Sequence, residues 1–445
     1  MKLDHMMYKT TTLFAALCMG ISCVYALPTP QPIPLPDRTN TVTKPGAAFK
    51  HQYLRTNLFS TVIDGDLEGV KYFIEQEHVP ADTTDDDGTS LLMFAADAGH
   101  LPIVKYLVGE DGYIKGTKIK AAQINHRNKN GITALMTAAV HGYTAIVSHL
   151  ARPETVNTRN SDGYTALMYA SYSGHFDTVK ILLTTPGIVL NAQANNGFTA
   201  LIFAAQQGHT HIVKALVNDP RTGKYINHPT DTGATALTMA IMNGHVDVVK
   251  VLLQAPNTDV NKPNEKENGY TPLIYAVAQK HTEVVQTLVD DPRIDVNYIS
   301  DDDFTALDIA VQQQDVATVK ALLTHPKINV NRTNNDGVTA LAVAVQLENF
   351  EIVKALLNQG NAQTDIKIPA TLETEDGALI DDKVTALMAA ASDGNLEIVK
   401  ALVEKGAKID IVSDSGFTAL DIAEAMGNTE IADYLRAQLE KAKKK

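Results

Sequence analysis

The sequence predicts an all-α solenoid of about eleven helix–turn–helix repeats joined by hairpin-like turns. Three observations support this fold: a self-similar segment, its regular phase, and the helical spacing of its apolar residues. A small hydroxyl residue opens each clear copy, and most of these residues lie about 34 positions apart. They are Ser90, Thr133, Thr165, Thr199, Thr235, Thr271, Thr305, Thr339, Thr385 and Thr418.

The segment Asp162–Leu183 shows how one copy forms two helices. Thr165 follows a turn dipeptide, so its hydroxyl can cap a first helix by accepting a free backbone N–H. Gly174 suits the left-handed residue that ends that helix, and Pro186 blocks extension of the second helix. One face of the second helix carries Phe176, Val179, Leu182 and Leu183. Two such helices cannot bury their apolar faces alone, so neighbouring copies must stack.

The copies resemble the ankyrin repeat family, whose signature is a turn followed by Thr-Pro-Leu-His-x-Ala. Tyr270–Ala276 is the copy most similar to that signature. A Gly-His pair before the second helix and a closing Val-Asn pair are also typical of the family. They occur at Gly99-His100, Gly174-His175, Gly208-His209, Gly244-His245, Val260-Asn261, Val296-Asn297 and Val330-Asn331. The resemblance covers roughly residues 54–440 and implies an ankyrin solenoid that binds proteins.

The copies depart from the family pattern at two positions. The histidine after the signature leucine is absent, so we expect apolar packing where the family has a threonine–histidine hydrogen bond. The residues there include Met93, Met136, Met168, Ile202 and Asp308. The helix-ending glycine is replaced by Lys280, Gln314 and Glu348 in three consecutive copies. If these residues are left-handed, each costs about 1 kcal/mol, and the solenoid should be weakest there.

Residues 1–26 are predicted to be a secretory signal peptide, with Lys2 and Lys9 before a short apolar run and Ala26 at the cleavage site. The alternative is an internal start followed by a buried helix. The protein is therefore expected to be exported, either to a periplasm or into the medium, and a bacterial origin is favoured. Both cysteines, Cys18 and Cys23, lie in this segment, and attachment to a membrane is expected only if Cys23 is lipidated.

The rest of the chain divides by composition. Residues 27–53 are rich in proline and are predicted to be an extended linker, with a docking peptide as the alternative. Residues 54–85 are a degenerate copy suited to capping the array, which spans 86–440, and residues 441–445 form a lysine-rich tail. Insertions near 109–123 and 365–382 are predicted to be loops, either functional or merely tolerated.

Composition and motifs argue against several classes of function. The net charge of −13 disfavours nucleic acid or an anionic membrane as the main partner. We find no phosphate loop, nucleophile elbow or zinc helix, so no enzyme activity, cofactor or small-molecule substrate is predicted. Asp85-Asp86-Asp87-Gly88 lacks the loop-end glutamate of a calcium site, and His209 belongs to the repeat itself, so no metal site is predicted.

The family resemblance places partner binding on the concave face, at the residue before each threonine cap and at the end of each inner helix. The predicted contact residues combine aromatic rings with neutral amides, and a monomer is expected. They are Tyr164, Tyr172, Phe198, Gln206, Gln207, Tyr270, Gln279, Phe304, Gln312 and Gln313. In the alternative, the rings pack between adjacent turns, and exposure of Phe198 and Phe304 distinguishes the two interpretations.

The function predicted from the sequence is non-catalytic binding of a partner protein outside the cytoplasm. One alternative is a structural envelope spacer tethered by the proline-rich segment. A second is a secreted effector that captures host proteins. A third is an enzyme with an unrecognised site in an insertion loop.

Overall fold

Helices form almost all the regular structure in the computed structural model, which describes residues 47–443 apart from 110–111, 224 and 374–378. The described chain divides into two units, an N-terminal unit that ends at Asp259 and a C-terminal unit that begins at Val260. The predicted signal peptide, most of the predicted linker and the last two residues lie outside the described residues. None of the described helices is both long enough and apolar enough to cross a bilayer.

The N-terminal unit contains a capping pair of helices and five full repeats. Its helices are α1 (Ala47–Asp64), α2 (Leu67–Lys71, continued by a π-helical turn Tyr72–Gln76), α3 (Leu91–Asp97), α4 (Leu101–Val108), α5 (Ala134–Val140), α6 (Thr144–Leu150), α7 (Ala166–Tyr172), α8 (Phe176–Thr184), α9 (Ala200–Gln206), α10 (Thr210–Asn218), α11 (Ala236–Met242) and α12 (Val246–Gln254). Helix α1 begins at Ala47, so the first described helix starts within the segment predicted as linker.

The C-terminal unit contains five more repeats and one β-hairpin. Its elements are α13 (Pro272–Ala278), α14 (Thr282–Val289), α15 (Ala306–Gln312), α16 (Val316–Leu322), α17 (Ala340–Gln346), α18 (Phe350–Asn358), β1 (Ile368–Glu373), β2 (Leu379–Val384), α19 (Ala386–Asp393), α20 (Leu396–Glu404), α21 (Ala419–Ala425) and α22 (Thr429–Lys443). The first three residues of the predicted lysine-rich tail belong to α22.

The predicted caps are confirmed at all ten phased positions. Each serine or threonine hydroxyl accepts the backbone N–H three residues later, at 3.2–3.4 Å. The inner helices that follow are short, with seven or eight residues each. Such short helices are marginal in isolation, so the caps and the stacking between repeats stabilise them.

A histidine from each of four repeats binds the inner helix of the preceding one. The Nε2 atoms of His100, His175, His209 and His245 lie 2.9 Å from the carbonyl oxygens of Ile63, Val140, Tyr172 and Gln206 respectively. Each imidazole packs directly against the glycine that follows the inner helix of the preceding repeat. A Cβ on Gly65, Gly142, Gly174 or Gly208 would lie only 2.4–2.8 Å from that ring. These glycines are therefore required for space as well as for their positive φ.

An asparagine ladder links the loops that follow the outer helices. In the N-terminal unit, Asn157 donates to the Gly187 carbonyl at 2.7 Å and accepts the Val189 N–H at 2.9 Å. In the C-terminal unit, Asn297, from one of the predicted Val-Asn pairs, makes the equivalent bonds to Lys327 and Asn329. Each amide satisfies two backbone groups of the next loop, which fixes the spacing between repeats at their outer side.

The residue after the signature leucine is apolar and buried in most copies, as expected. Met93, Met136, Met168 and Ile202 are all almost fully buried. The expectation is wrong for Asp308. Its carboxylate accepts the Thr305 N–H at 2.9 Å and the Thr305 hydroxyl at 2.7 Å, because a short acid at this position completes a capping box.

The second insertion forms a β-hairpin where the sequence analysis predicts a loop. Strands β1 and β2 pair antiparallel from Ile368 opposite Val384 to Glu373 opposite Leu379. The ends of the strands nearest the repeats bury Ile368 and Val384, which gives the hairpin an apolar anchor. The helical solenoid is as predicted, and within the described residues this hairpin is inserted between two of its repeats. The first insertion is an irregular loop with an isolated bridge between Tyr113 and Lys120.

Asp382 fastens this hairpin to the last turn of the array. Its Oδ1 accepts the backbone N–H groups of Lys383 at 2.7 Å and of Ser415 at 3.1 Å. Burial alone raises the pKa of the Asp382 carboxyl, but hydrogen bonds from Ser413, Lys383 and Ser415 outweigh it and hold the pKa below its ordinary value.

We predict that this carboxylate makes stability depend on pH. Because its folded-state pKa is depressed, ionised Asp382 stabilises the fold above its unfolded pKa of about 3.9, and that stabilisation is lost as the pH falls through the folded-state value. Asp382→Asn should therefore lower the urea midpoint at pH 6, and the deficit should shrink as the pH falls toward 3. Asp414→Asn, at an exposed ion pair, is the control. A deficit that does not change with pH would contradict the assignment.

The three residues that replace the helix-ending glycine are left-handed. The φ angles of Lys280, Gln314 and Glu348 are 58°, 55° and 51°. All three side chains are exposed, so they gain nothing from packing that would offset the backbone strain.

Changing these residues to glycine should stabilise the C-terminal unit. Lys280→Gly, Gln314→Gly and Glu348→Gly should each raise the free energy of unfolding by up to about 1 kcal/mol, because glycine relieves the strain at positive φ. Urea unfolding followed by circular dichroism measures the change. Lys320→Gly, inside helix α16, is the control and should lower stability. The same loss at all four positions would show that the strain is negligible.

Candidate protein-binding surface

The four aromatic residues predicted beside the turns are buried. Tyr164, Phe198, Tyr270 and Phe304 are only 8%, 4%, 3% and 6% exposed. An anchoring role requires exposed rings, and these rings do not meet that condition. The structure favours the alternative, in which the rings pack between the turns and the inner helices.

Ring contacts within the N-terminal unit show what this packing achieves. The Phe198 ring stacks on Phe203 with the centroids 4.8 Å apart, and Tyr164 meets the same Phe203 ring edge-on at 5.7 Å. Tyr164 also contacts Tyr169 at 5.8 Å. Phe203 therefore joins the turns of two successive repeats through aromatic contacts, which favour such offset and edge-to-face geometries.

Tyr270 has a polar constraint as well. Its ring packs edge-on against Tyr275 at 5.7 Å, and its hydroxyl donates to Asp302 Oδ2 at 2.9 Å. Burial is the main cause that raises the pKa of the Tyr270 phenol, and the bond to the Asp302 carboxylate adds to it. The phenol therefore stays neutral and acts as a hydrogen-bond donor that ties one turn to the next.

The residues predicted at the ends of the inner helices divide into exposed and buried groups. In the N-terminal unit, Tyr172 is half-buried, with its ring 6.0 Å from Phe203, and Gln206 is buried. Gln207 and Asn243 are exposed. Among the described residues, Tyr172 and Gln207 make no side-chain hydrogen bond. We call Tyr172, Gln207 and Asn243 the inner-helix strip; the Tyr172 ring contacts Phe203 of the next repeat, and Asn243 donates to the Met239 carbonyl of its own helix.

The corresponding residues of the C-terminal unit are less exposed and so less available for contact with a partner. Gln279, Gln312 and Gln313 are all half-buried. Gln313 donates its amide N–H to the Ala278 carbonyl at 3.0 Å, so it takes the structural role that histidine has in the N-terminal unit. Gln313 was predicted to contact a partner, but its side chain is used to join two successive repeats.

The structure reveals a cleft beside the inner-helix strip. It has a volume of about 420 Å³ and is lined by Gly174, Phe176, Gly208, His209, Thr210, His211, Ile212 and Asp247. Phe176 and His211 face each other with ring centroids 5.8 Å apart. His209 is tied to Tyr172, as its assignment to the repeat predicts, whereas His211 is exposed. Sequence reasoning missed this cleft because three repeats contribute to it.

A second cavity and an ion cluster lie in the C-terminal unit. The cavity, about 590 Å³, is lined mainly by residues 361–366 together with Leu357 and Lys405. In the cluster, Arg332 pairs with Asp303 and lies 3.1 Å from Asp308. Burial is the largest influence on Asp308 and raises the pKa of its carboxyl, against the opposing bonds from Thr305 and the charge of Arg332. This cluster joins two successive turns.

Within the described residues, no group of three histidine, cysteine or acidic side chains is placed to hold a metal ion. The surface instead offers aromatic, imidazole, amide and carboxylate groups around an open cleft. Groups of this kind suit contact with another protein.

Comparison with known families agrees with this geometry. A family model described as ankyrin repeats in three copies matches residues 44–121, 114–194, 185–264, 223–300, 256–334, 295–370 and 366–445. The chain belongs to the ankyrin repeat family. Ankyrin repeats are protein–protein interaction modules, and proteins built from them are generally binding proteins rather than enzymes.

In this ankyrin repeat protein, substitution can distinguish the buried ring of Phe198, which packs within the stack, from the half-buried ring of Tyr172, which is available for binding. Phe198→Ala should lower the free energy of unfolding by about 3 kcal/mol or more, because it removes a buried stacked ring. Tyr172→Ala should cost much less, about 1 kcal/mol, because its ring is half-exposed. Urea unfolding measures both changes. Equal losses for the two variants would show that Tyr172 also belongs to the core.

Proposed function

We propose that this ankyrin repeat protein binds a partner protein through the inner-helix strip and the adjoining cleft of its N-terminal unit. One observation carries the proposal. The backbone carbonyl of Tyr172 is occupied by His209, whereas the Tyr172 side chain is only half-buried, with its ring against Phe203, and the Gln207 side chain is exposed. Stacking therefore uses the backbone at this edge and leaves side chains for recognition.

The chemistry of the strip indicates the class of partner. A tyrosine followed along the stack by two neutral amides offers a large amphipathic ring with adaptable hydrogen-bonding groups on one side of it. The overall charge of −13 works against polyanions, since binding them needs a basic surface. A folded protein or an extended segment of one satisfies both conditions.

We also propose that this binding takes place outside the cytoplasm, in a periplasm or in the surrounding medium. The support is the sequence of residues 1–26, with its positive start, short apolar run and small residue before Leu27. A secreted form could capture proteins of a host. We propose no catalytic role, because proteins built from ankyrin repeats are generally binding proteins.

An envelope spacer is the second candidate, and the proline pattern supports it. Residues 27–53 carry prolines at alternating positions from Pro28 to Pro36, a composition that favours an extended spacer. Lipidation of Cys23 would supply the anchor. This candidate predicts a lipid-modified N-terminus and no tight partner for the array.

Affinity capture tests the binding proposal. The mature chain is used as bait on cell-envelope extract and culture medium, beside a strip variant with Tyr172→Ala, Gln207→Ala and Asn243→Ala. A control variant carries Lys105→Ala, Ser148→Ala and Lys214→Ala, which are exposed on outer helices of the same unit. Circular dichroism confirms that all three baits are folded.

The expected result is a protein retained by the wild-type and control baits and bound at least about tenfold more weakly by the strip variant, since tyrosine is enriched among interface hot spots. Equal retention by all baits would exclude the strip. If no bait retains a protein and mass spectrometry finds lipid on Cys23, the spacer is the better assignment.

A further inference from the structure

The cleft beside the inner-helix strip is formed where the repeats depart from one another. Phe176 is the only aromatic residue at the first position of an outer helix in the described N-terminal unit. The equivalent residues are Leu67, Leu101, Thr144, Thr210 and Val246. His211 is likewise the only histidine at the second position, where Asp177 and Asp247 stand in the neighbouring repeats. Phe176 and His211 contact each other across two successive repeats, and Asp247 lines the same cleft from the third.

The lining of the cleft combines the rings of Phe176, His209 and His211 with two glycines. The Phe176 and His211 rings are inclined at 45°, and the His209 imidazole is fixed by its bond to the Tyr172 carbonyl. Gly174 and Gly208 also line the cleft, and each seats an imidazole of the following repeat, His209 and His245 respectively. A flat group can therefore enter beside ring surfaces that are already held in place.

The charge of the cleft is negative. Among the described residues, the exposed Asp247 carboxylate has no ion pair, whereas Asp177 is neutralised by Lys180 at 2.7 Å. The Lys180 ammonium lies 4.9 Å from the centroid of the Phe176 ring, so this ring already attracts a cation. Asp247 is the acidic side chain among the residues that line the cleft.

An anion fits the cleft poorly. The N–H groups of Thr210, Ile212 and Val213 at the start of α10 all bond to backbone carbonyls, so that helix offers few free donors there. The Asp247 carboxylate would also repel an anion. A metal ion is disfavoured because these side chains do not form a three-ligand group.

We propose that this cleft binds an arginine side chain of the protein partner. A guanidinium is planar, stacks on aromatic rings, and pairs with a carboxylate through two N–H groups. The rings of Phe176 and His211 supply the stacking surface, and Asp247 supplies the carboxylate. The inference rests on the proposed function, since it specifies which group of the partner enters beside Tyr172.

A peptide titration of the mature chain tests the cleft without knowledge of the partner. The probe is acetyl-glycyl-arginyl-glycine amide, and its control replaces arginine with citrulline, which keeps the shape and removes the charge. The readout is the chemical shift of the His211 ring protons, assigned by their loss in His211→Gln. The proteins compared are wild type, Asp247→Asn, and the control Asp231→Asn, which changes an exposed acid of the same unit.

We expect a saturable His211 shift with the arginine peptide in wild type and Asp231→Asn, and at least tenfold weaker binding in Asp247→Asn. The citrulline peptide should give no saturable shift. Equal responses to the two peptides, equal binding by Asp247→Asn, or no saturable shift with the arginine peptide would overturn the proposal.

Failure of the inference is distinguishable from failure of the proposed function. If a captured partner is lost from the strip variant but retained in full by Asp247→Asn, the arginine assignment is wrong and the binding function stands. If the arginine peptide saturates the cleft but no partner is captured, the cleft chemistry stands and the function has to be revised.

Discussion

The contact between a histidine and the preceding repeat is the constraint on which the N-terminal unit depends. An α-helix leaves its last carbonyl groups without intrahelical partners, and these inner helices are too short to be stable alone. His175, His209 and His245 supply a donor from the next repeat to the final residue of helices α5, α7 and α9. The glycine beneath each ring cannot be replaced without a clash. One hydrogen bond thus fixes the helix end, the spacing of the repeats and the direction of the neighbouring side chains.

The C-terminal unit meets the same need with different groups. Gln313 donates to the Ala278 carbonyl, and Asn428 donates to the carbonyls of Ala391 and Ser392. Amides reach these acceptors without an imidazole, but three of the helix-ending residues keep side chains at positive φ. Because solenoid stability is roughly a sum over repeats and their interfaces, such local costs are tolerated as long as neighbouring repeats offset them.

The sequence predicted the phase, the caps and the histidine motif because each depends on spacing within a single copy. Thr165 and Gly174 can be interpreted from their own segment. Side-chain direction was harder to predict, because a ring beside a turn glycine can point either way, and Phe198 turned inward to stack on Phe203. The hairpin at Ile368–Val384 was missed because its acidic residues suggested a solvated loop, although both strands contain apolar residues with high β-propensity.

The cleft could not be predicted from any one copy, because Phe176, His211 and Asp247 belong to three successive repeats. Each residue is unremarkable in its own helix, and only stacking brings the three together around two glycines. The positions that maintain the stack carry similar residues in most copies, so they distinguish poorly between partners. Specificity must come from the positions where copies differ. In the N-terminal unit those differences converge on the cleft beside Tyr172, and we therefore propose this edge of the stack as the place where a partner is selected.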